Sequence, residues 1–300
     1  MGVFLLQCHL FFCGGSILLL TIALWRMRGT TLVSPLGWSL GAVSSIAIAE
    51  VVLFFPPMPG VTSWQSLVRY LAGTLTLLPT ISILGAKRPQ AIVWNYIVAS
   101  LWIVLLMPAI EVMLLKPQQS FEIYAFGPWL ISGLIFYTAI HFAGTRMSLP
   151  GLLAATAQLV YLQSHLPFAI VEGTVSNSLI AAVLIATASG MAWLLTPRNS
   201  TDAFTLLWRQ YQFAYGTAWA LRMQQRLDEL QVRHRWAVRL GWNGVMAVKP
   251  DASPDELEQD RKVLARAFRS LMLRFLSAKQ IGPFSAAELR QRPAAPPSTK

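Results

Sequence analysis

Seven long apolar runs fill the first 196 residues, and Lys and Arg gather in every second gap between them. A helix needs about 20 apolar residues to cross a hydrocarbon layer roughly 30 Å thick, and no soluble fold requires seven such runs in succession. The runs predict helices over 3–24, 34–55, 64–85, 91–115, 122–143, 149–168 and 175–196. The expected fold is an all-α polytopic membrane protein with seven transmembrane helices. Composition agrees: 55% of the 300 residues are hydrophobic and 12% charged, where a soluble protein carries about 25% charged residues.

Charge divides the chain in two. Of 24 Lys and Arg, 17 follow Pro197, as do 9 of 13 Asp and Glu, so the tail carries 17 − 9 = +8 and the preceding part 7 − 4 = +3. The expected division is a transmembrane domain over 1–197, a basic module over 198–284 and a disordered tail over 285–300, rich in proline. Arg26, Arg28, Lys87, Arg88, Arg146 and the tail outweigh Lys116 and Arg69 on the other side. By the positive-inside rule the expected placement is a multi-pass protein of the plasma or inner membrane, with the N-terminus outside and the C-terminal module in the cytoplasm. Trp25, Trp64, Trp94, Trp129 and Trp193 fall near predicted helix ends, where amphipathic rings favour the headgroup zone.

Cys8 and Cys13 lie within the first run and suggest neither a disulfide nor a zinc site. No basic residue precedes that run, Gln7 rather than a small residue precedes Cys8, and Leu6 replaces the Ser or Thr of a myristoylation signal. The run is therefore read as a retained helix. Pro79, Pro108 and Pro128 favour kinks, because each removes a backbone donor.

Beyond Pro197 the pattern predicts a helix over 202–234, weakened at Gly216, with Leu207, Tyr211, Ala214, Ala218, Leu221, Gln225, Leu227 and Leu230 near one face. Trp236 to Trp242 alternates like a strand, Asn243-Gly244 reads as a hairpin turn, and Val245 to Lys249 reads as its second strand. Ser253-Pro254-Asp255-Glu256 starts a helix expected to reach about 280, with Leu257, Leu264, Phe268, Leu271 and Phe275 on its apolar face. This small cytoplasmic α+β helix-hairpin-helix module is near the lower size limit for an independent core, so a protein partner or a second copy is expected to cover it.

Glu50 and Glu111 are the costliest groups in the predicted spans. Each is followed by Val, Leu and Pro at matching positions near the end of its helix, which raises a helix-pair repeat between helices 2 and 4. Alternation brings Glu50, Glu111 and Arg69 to one depth, roughly 6–9 Å below the outer surface at 1.5 Å per residue. An ion pair between helices or a binding or proton-accepting site follows from that placement. His9 and His165 reach the same side, and two such imidazoles are candidate haem ligands, although no spacing on one helix supports haem. No cofactor or metal is expected.

In the tail, Arg222, Arg226 and Arg233 share a helix face, and Lys262, Arg266 and Arg269 form a second. Both suit anionic lipid headgroups. Gly241-Trp242-Asn243-Gly244 fits the GXXG spacing of RNA-binding KH loops, but it joins strands rather than helices, so no nucleic-acid partner is expected. Asn199-Ser200-Thr201 matches a glycosylation acceptor on the wrong side for use. The sequence lacks a P-loop, an HExxH helix, a GxSxG elbow and a dinucleotide fingerprint. The first expectation for function is a non-catalytic accessory or scaffold subunit of a membrane complex. The alternative is a transporter or proton-coupled carrier using Glu50, Arg69 and Glu111.

Overall fold

The computed structural model describes residues 2–56, 64–115, 121–123, 126–168, 174–197 and 202–276. Lys116, the Asn199-Ser200-Thr201 acceptor and the 285–300 tail lie outside the described residues, whereas the last helix, expected to reach about 280, ends at Met272 within them. The described chain is mostly helical, with ten α-helices and one two-stranded sheet among those residues. Contacts divide it into two units: Met1–Thr196 with Tyr215–Ala218, and Pro197–Ala214 with Trp219–Lys300.

In the first unit α1 spans Val3–Arg26, α2 Val33–Phe54, α3 Trp64–Leu75, α4 Leu78–Leu84 and α5 Ala91–Leu115. Then come α6 (Phe126–His141), α7 (Ser148–Leu162, extended by a 3-10 turn over Gln163–His165) and α8 (Thr174–Leu195). Among the described residues five stretches are long and apolar enough to cross a membrane: Val3–Arg26, Val33–Phe54, Trp64–Leu84, Ala91–Leu115 and Asn177–Leu195. Helices α6 and α7 are shorter than the 122–143 and 149–168 predicted. Residues 121–123 are not helical, and α7 gives way to the 3-10 turn four residues before Pro167.

The Trp64–Leu84 stretch is 67% buried, whereas the other four bury 17–28% of theirs. It is the central helix, packed against α2, α5 and α7. Predicted as one helix with a bend, it breaks at Thr76-Leu77, just before Pro79. Pro79 withholds the amide that would donate to the Leu75 carbonyl four residues earlier, and the neighbouring Thr76 carbonyl accepts from Gln158 Nε2 of α7 at 2.7 Å. Ser34, Ser82 and Asn95 tie α2, α4 and α5 together near the other end: Ser34 and Ser82 hydroxyls lie 3.1 Å apart, and Ser34 donates to the Asn95 side-chain oxygen.

Tyr215–Ala218 belong to this unit through specific bonds. Thr31 donates to the Ala86 carbonyl at 2.8 Å and its hydroxyl lies 3.1 Å from the Tyr215 hydroxyl, while Thr217 donates to the Ala143 carbonyl. Burial pushes the Tyr215 phenol upward in pKa, opposed by the Thr31 bond and the charge of Arg88.

In the second unit α9 runs Ala203–His234, β1 Val238–Gly241, β2 Gly244–Ala247 and α10 Pro254–Met272. Gly216 is non-helical at φ 75°, ψ −177°, so the weak point foreseen in α9 is a break. Beyond it Trp219, Met223 and Leu227 are buried, and Leu221, predicted on the apolar face, is 52% exposed. The hairpin also differs from the Asn243-Gly244 turn expected. Gly241 pairs with Gly244, which puts Trp242 and Asn243 in the turn and Gly244 at the start of β2 with φ 138°. Two donors fix that register by converging on the Trp242 carbonyl: Trp208 Nε1 and Gln212 Nε2, each at 3.0 Å. Helix α10 starts as predicted, with Ser253 accepting from the Glu256 amide at 3.2 Å, and buries Leu264, Phe268, Met272 and Phe275 of this segment.

Candidate functional site

Glu50 lies one turn before the end of α2 with only 1% of its side chain exposed, and Arg69 lies in the second turn of α3 at 12%. Arg69 Nε approaches Glu50 Oε1 at 3.5 Å. Small and apolar neighbours (Ala49, Val68 and Ala72) surround them, so water does not screen the pair as it does at a surface.

Other polar groups reach the same region. His9 is fully buried on α1, its Nε2 3.4 Å from the Cys13 sulfur one turn later, with the backbone of Ile46 and Ser178 against its ring. Glu50 lies within electrostatic reach of His9, Cys13 and Tyr161. Tyr161, on α7, packs in the cluster of Cys13, Ala49 and Val68, and its hydroxyl is buried with no hydrogen-bond partner among the described residues.

His165 follows Tyr161 by four residues, in the 3-10 turn. Its ring makes edge contacts with Tyr70 (centroids 5.1 Å apart) and Phe121 (5.5 Å). Its Nε2 is also buried with no partner among the described residues. Arg69 is within electrostatic reach of both Tyr161 and His165. The approach of α7 to α3 depends on Gly73, one turn beyond Arg69 on the same face. A Cβ there would meet Leu162 Cδ2 at 2.4 Å and Tyr161 Cδ1 at 3.1 Å.

The structure therefore joins Glu50 to Arg69, with His9 beside the first and His165 beside the second. Glu111 is half-buried on α5 and is not part of that ion pair. The candidate haem ligands His9 and His165 are packed against Cys13 and against two aromatic rings respectively. Among the described residues no group of three or more His, Cys, Asp and Glu gathers in a way that suits a metal ion. Tyr161 was missed by the sequence reading, although a Tyr one turn before His165 in an otherwise apolar run was a usable signal.

In the second unit Arg222, Arg226, Arg233, Lys262, Arg266 and Arg269 are all exposed. Arg226 pairs with Glu229 at 2.9 Å, Lys262 with Glu258 at 3.4 Å, and Arg222 lies over the Trp219 ring at 5.1 Å. A cleft of about 480 Å³ is lined by Val238, Val245, Ala247, Leu257 and the pair Asp202 and Arg261. Asp202 caps α9 by accepting from the Thr205 amide at 3.1 Å and meets Arg261 at 2.5 Å. Burial acts to raise the Asp202 carboxyl. The Thr205 hydroxyl, Arg261 and the cap amides outweigh it and hold the group below the usual carboxylate range.

No known family model matches this chain, and no curated protein or solved structure matches it significantly.

Proposed function

We propose that this chain is a proton-coupled carrier in the cell membrane, with its working site around Glu50 and Arg69. The observation that carries the reading is the Glu50–Arg69 pair at 3.5 Å inside the bundle, with the unpartnered Tyr161 hydroxyl and His165 Nε2 in its neighbourhood. A purely structural bundle gains little from such a group of residues, because replacing a buried ion pair with apolar side chains is often neutral or stabilising. Orphaned buried polar groups add further cost unless something binds to them.

In this reading α6 and α7 also cross the bilayer, giving seven spans with the N-terminus outside. The second unit is then a cytoplasmic helix-hairpin-helix module, whose exposed Arg and Lys meet anionic headgroups at about 1 kcal/mol per residue near the surface. Alternation of the helices places the Glu50 end on the outer side.

The test is proton flux into liposomes containing the purified full-length chain and a trapped pH-sensitive dye. With small anions such as chloride and acetate present on both sides, a pH gradient should dissipate faster than in protein-free liposomes, and Glu50→Gln should slow it at unchanged protein content. Equal rates for empty, wild-type and variant liposomes would reject the carrier reading.

A second reading, an accessory subunit of a membrane complex, is favoured by a different observation. Leu221, Val232, Met246, Val248 and Leu273 of the second unit are exposed, at 41–71%. A stoichiometric partner retained through purification from native membranes, and lost on Val232→Glu, would support it.

A further inference from the structure

The turns that lead into α2 and α7 are built alike. Gly29 and Gly144 take positive φ values of 87° and 74°. Thr30 and Thr145, the next residues, each donate a hydroxyl to the carbonyl three residues earlier, Met27 at 2.8 Å and Phe142 at 2.7 Å. Each also accepts from the amide two residues later, Leu32 and Met147, at 3.1 Å in both cases. Pro35 and Pro150 follow each glycine by the same interval. An offset of 115 residues (144 − 29) therefore maps α1 and α2 onto α6 and α7, and in chain order α3 onto α8. Both triplets run in the same direction, as in parallel-repeat carriers, with α5 as the odd helix between them.

The offset assigns Glu50 a counterpart, and it is His165 (165 − 50 = 115). These two positions, equivalent in the repeat, share one partner. Arg69 pairs with Glu50 and is within electrostatic reach of His165. Gly73 and Arg69, one turn apart on α3, face Tyr161 and His165, one turn apart on the antiparallel α7.

We propose that Arg69, Tyr161, His165 and Glu50 form a binding site for a small monovalent anion that is taken up together with one proton, between the two halves of this repeat. The inference rests on the carrier reading and names its ligand. The charge arithmetic selects the loading. Glu50 and Arg69 cancel, so an anion alone leaves the buried site at −1 and a proton alone leaves it at +1, and either is disfavoured away from water. An anion with a proton leaves it neutral. Arg69 meets Glu50 through Nε, and its guanidinium fork has two further nitrogens suited to an oxyanion or halide. The Tyr161 hydroxyl and a protonated His165 supply additional donors, and Arg69, at 12% exposure, marks the entrance.

The ionisable groups of the surrounding helices take part in the same balance. His9 and Cys13 face Glu50 from α1, and Tyr70 faces His165 from α3. Glu111 of α5 and Glu122, next to Phe121, stand at the same end of the bundle.

The test uses full-length protein in lipid nanodiscs, in weakly buffered solution near pH 6.5 with a pH-indicator dye. Potassium chloride or potassium acetate is added, with potassium gluconate as the ionic-strength control. At least one of the two anions should bind with about one proton taken up per anion, its affinity falling about tenfold per unit rise in pH. The two arms distinguish a halide from a short carboxylate. Tyr161→Phe, which keeps the ring in the core, should weaken binding several-fold, and His165→Gln should remove the proton uptake. Binding of neither salt, binding without proton uptake, or wild-type behaviour in both variants would overturn the proposal. Proton flux in liposomes that persists without anion-linked uptake would overturn it while leaving the carrier reading in place.

Discussion

The Tyr70 hydroxyl donates to the Leu105 carbonyl at 2.5 Å, and Leu105 lies three residues before Pro108 on α5. The Gln158 amide does the same for the carbonyl of Thr76, three residues before Pro79. Pro108 and Pro79 withhold the donors of the Val104 and Leu75 carbonyls, and in both places the next carbonyl along accepts from a side chain of a neighbouring helix. Tyr70→Phe should therefore loosen α3 from α5 by about 0.5–1.5 kcal/mol, the range for hydrogen bonds between membrane helices. Thermal unfolding in detergent measures it. Pro108→Ala in the Tyr70→Phe background should recover part of the loss, since the restored amide gives the Val104 carbonyl its helical donor.

Gly216 permits the break in α9 by adopting φ 75°, and a Cβ at that position would meet His141 Nε2 at 2.5 Å and the His141 carbonyl at 2.9 Å. Gly216→Ala thus combines backbone strain with a clash against main chain that cannot move aside. The expected cost is about 1–3 kcal/mol. Protease cleavage in the 203–234 segment should become faster, and cleavage at the wild-type rate would show that the break is not needed.

Asp202 and Asp228 lie on the same helix and should give opposite pH signatures. The Asp202 carboxyl is held low, so its contribution is present above the ordinary carboxylate pKa and is lost as pH falls through the lower folded value. Burial raises Asp228, with Arg239 opposing, so its contribution is present below the ordinary value and is lost as pH rises through the raised one. Asp202→Ala should cost about 1–2 kcal/mol as a lost helix cap, an effect that shrinks on acidification. Asp228→Asn should be neutral or stabilising at pH 7. Tryptophan fluorescence through thermal unfolding at pH 4 and pH 7 checks both.

The five long apolar stretches were legible because a run of about 20 apolar residues has no alternative to burial or lipid, whereas the break at Thr76-Leu77 and the shorter α6 and α7 were not. The hairpin and the Ser253 cap were legible for the same local reason, their signals lying within a few residues. What escaped the sequence was long-range. The turn register depends on Trp208 and Gln212 reaching a carbonyl about 30 residues away, and the non-helical backbone at Gly216 lies against His141 of α6. The Glu50–Arg69 pair followed from placing both at one depth, but the part played by Tyr161 required Gly73 to bring α7 close. The Gly-Thr turns were present in the sequence too. Two shared residues mean little until the hydrogen bonds around them prove the same.

The Glu50–Arg69 pair should respond asymmetrically to substitution. Arg69 retains 12% exposure and a long flexible stem, so in Glu50→Gln its charge can swing toward the interface, and the expected cost is about 1–2 kcal/mol. Glu50 is 1% exposed on a shorter side chain, so Arg69→Gln strands a buried carboxylate, and a cost of about 3–5 kcal/mol is expected. The double variant Glu50→Gln with Arg69→Gln removes both charges and keeps two hydrogen-bonding amides, and it should be more stable than Arg69→Gln alone. A thermodynamic cycle over the four proteins isolates the coupling. Additive losses would show that the 3.5 Å approach carries no interaction energy, and a larger loss for Glu50→Gln than for Arg69→Gln would show that the guanidinium is the trapped partner.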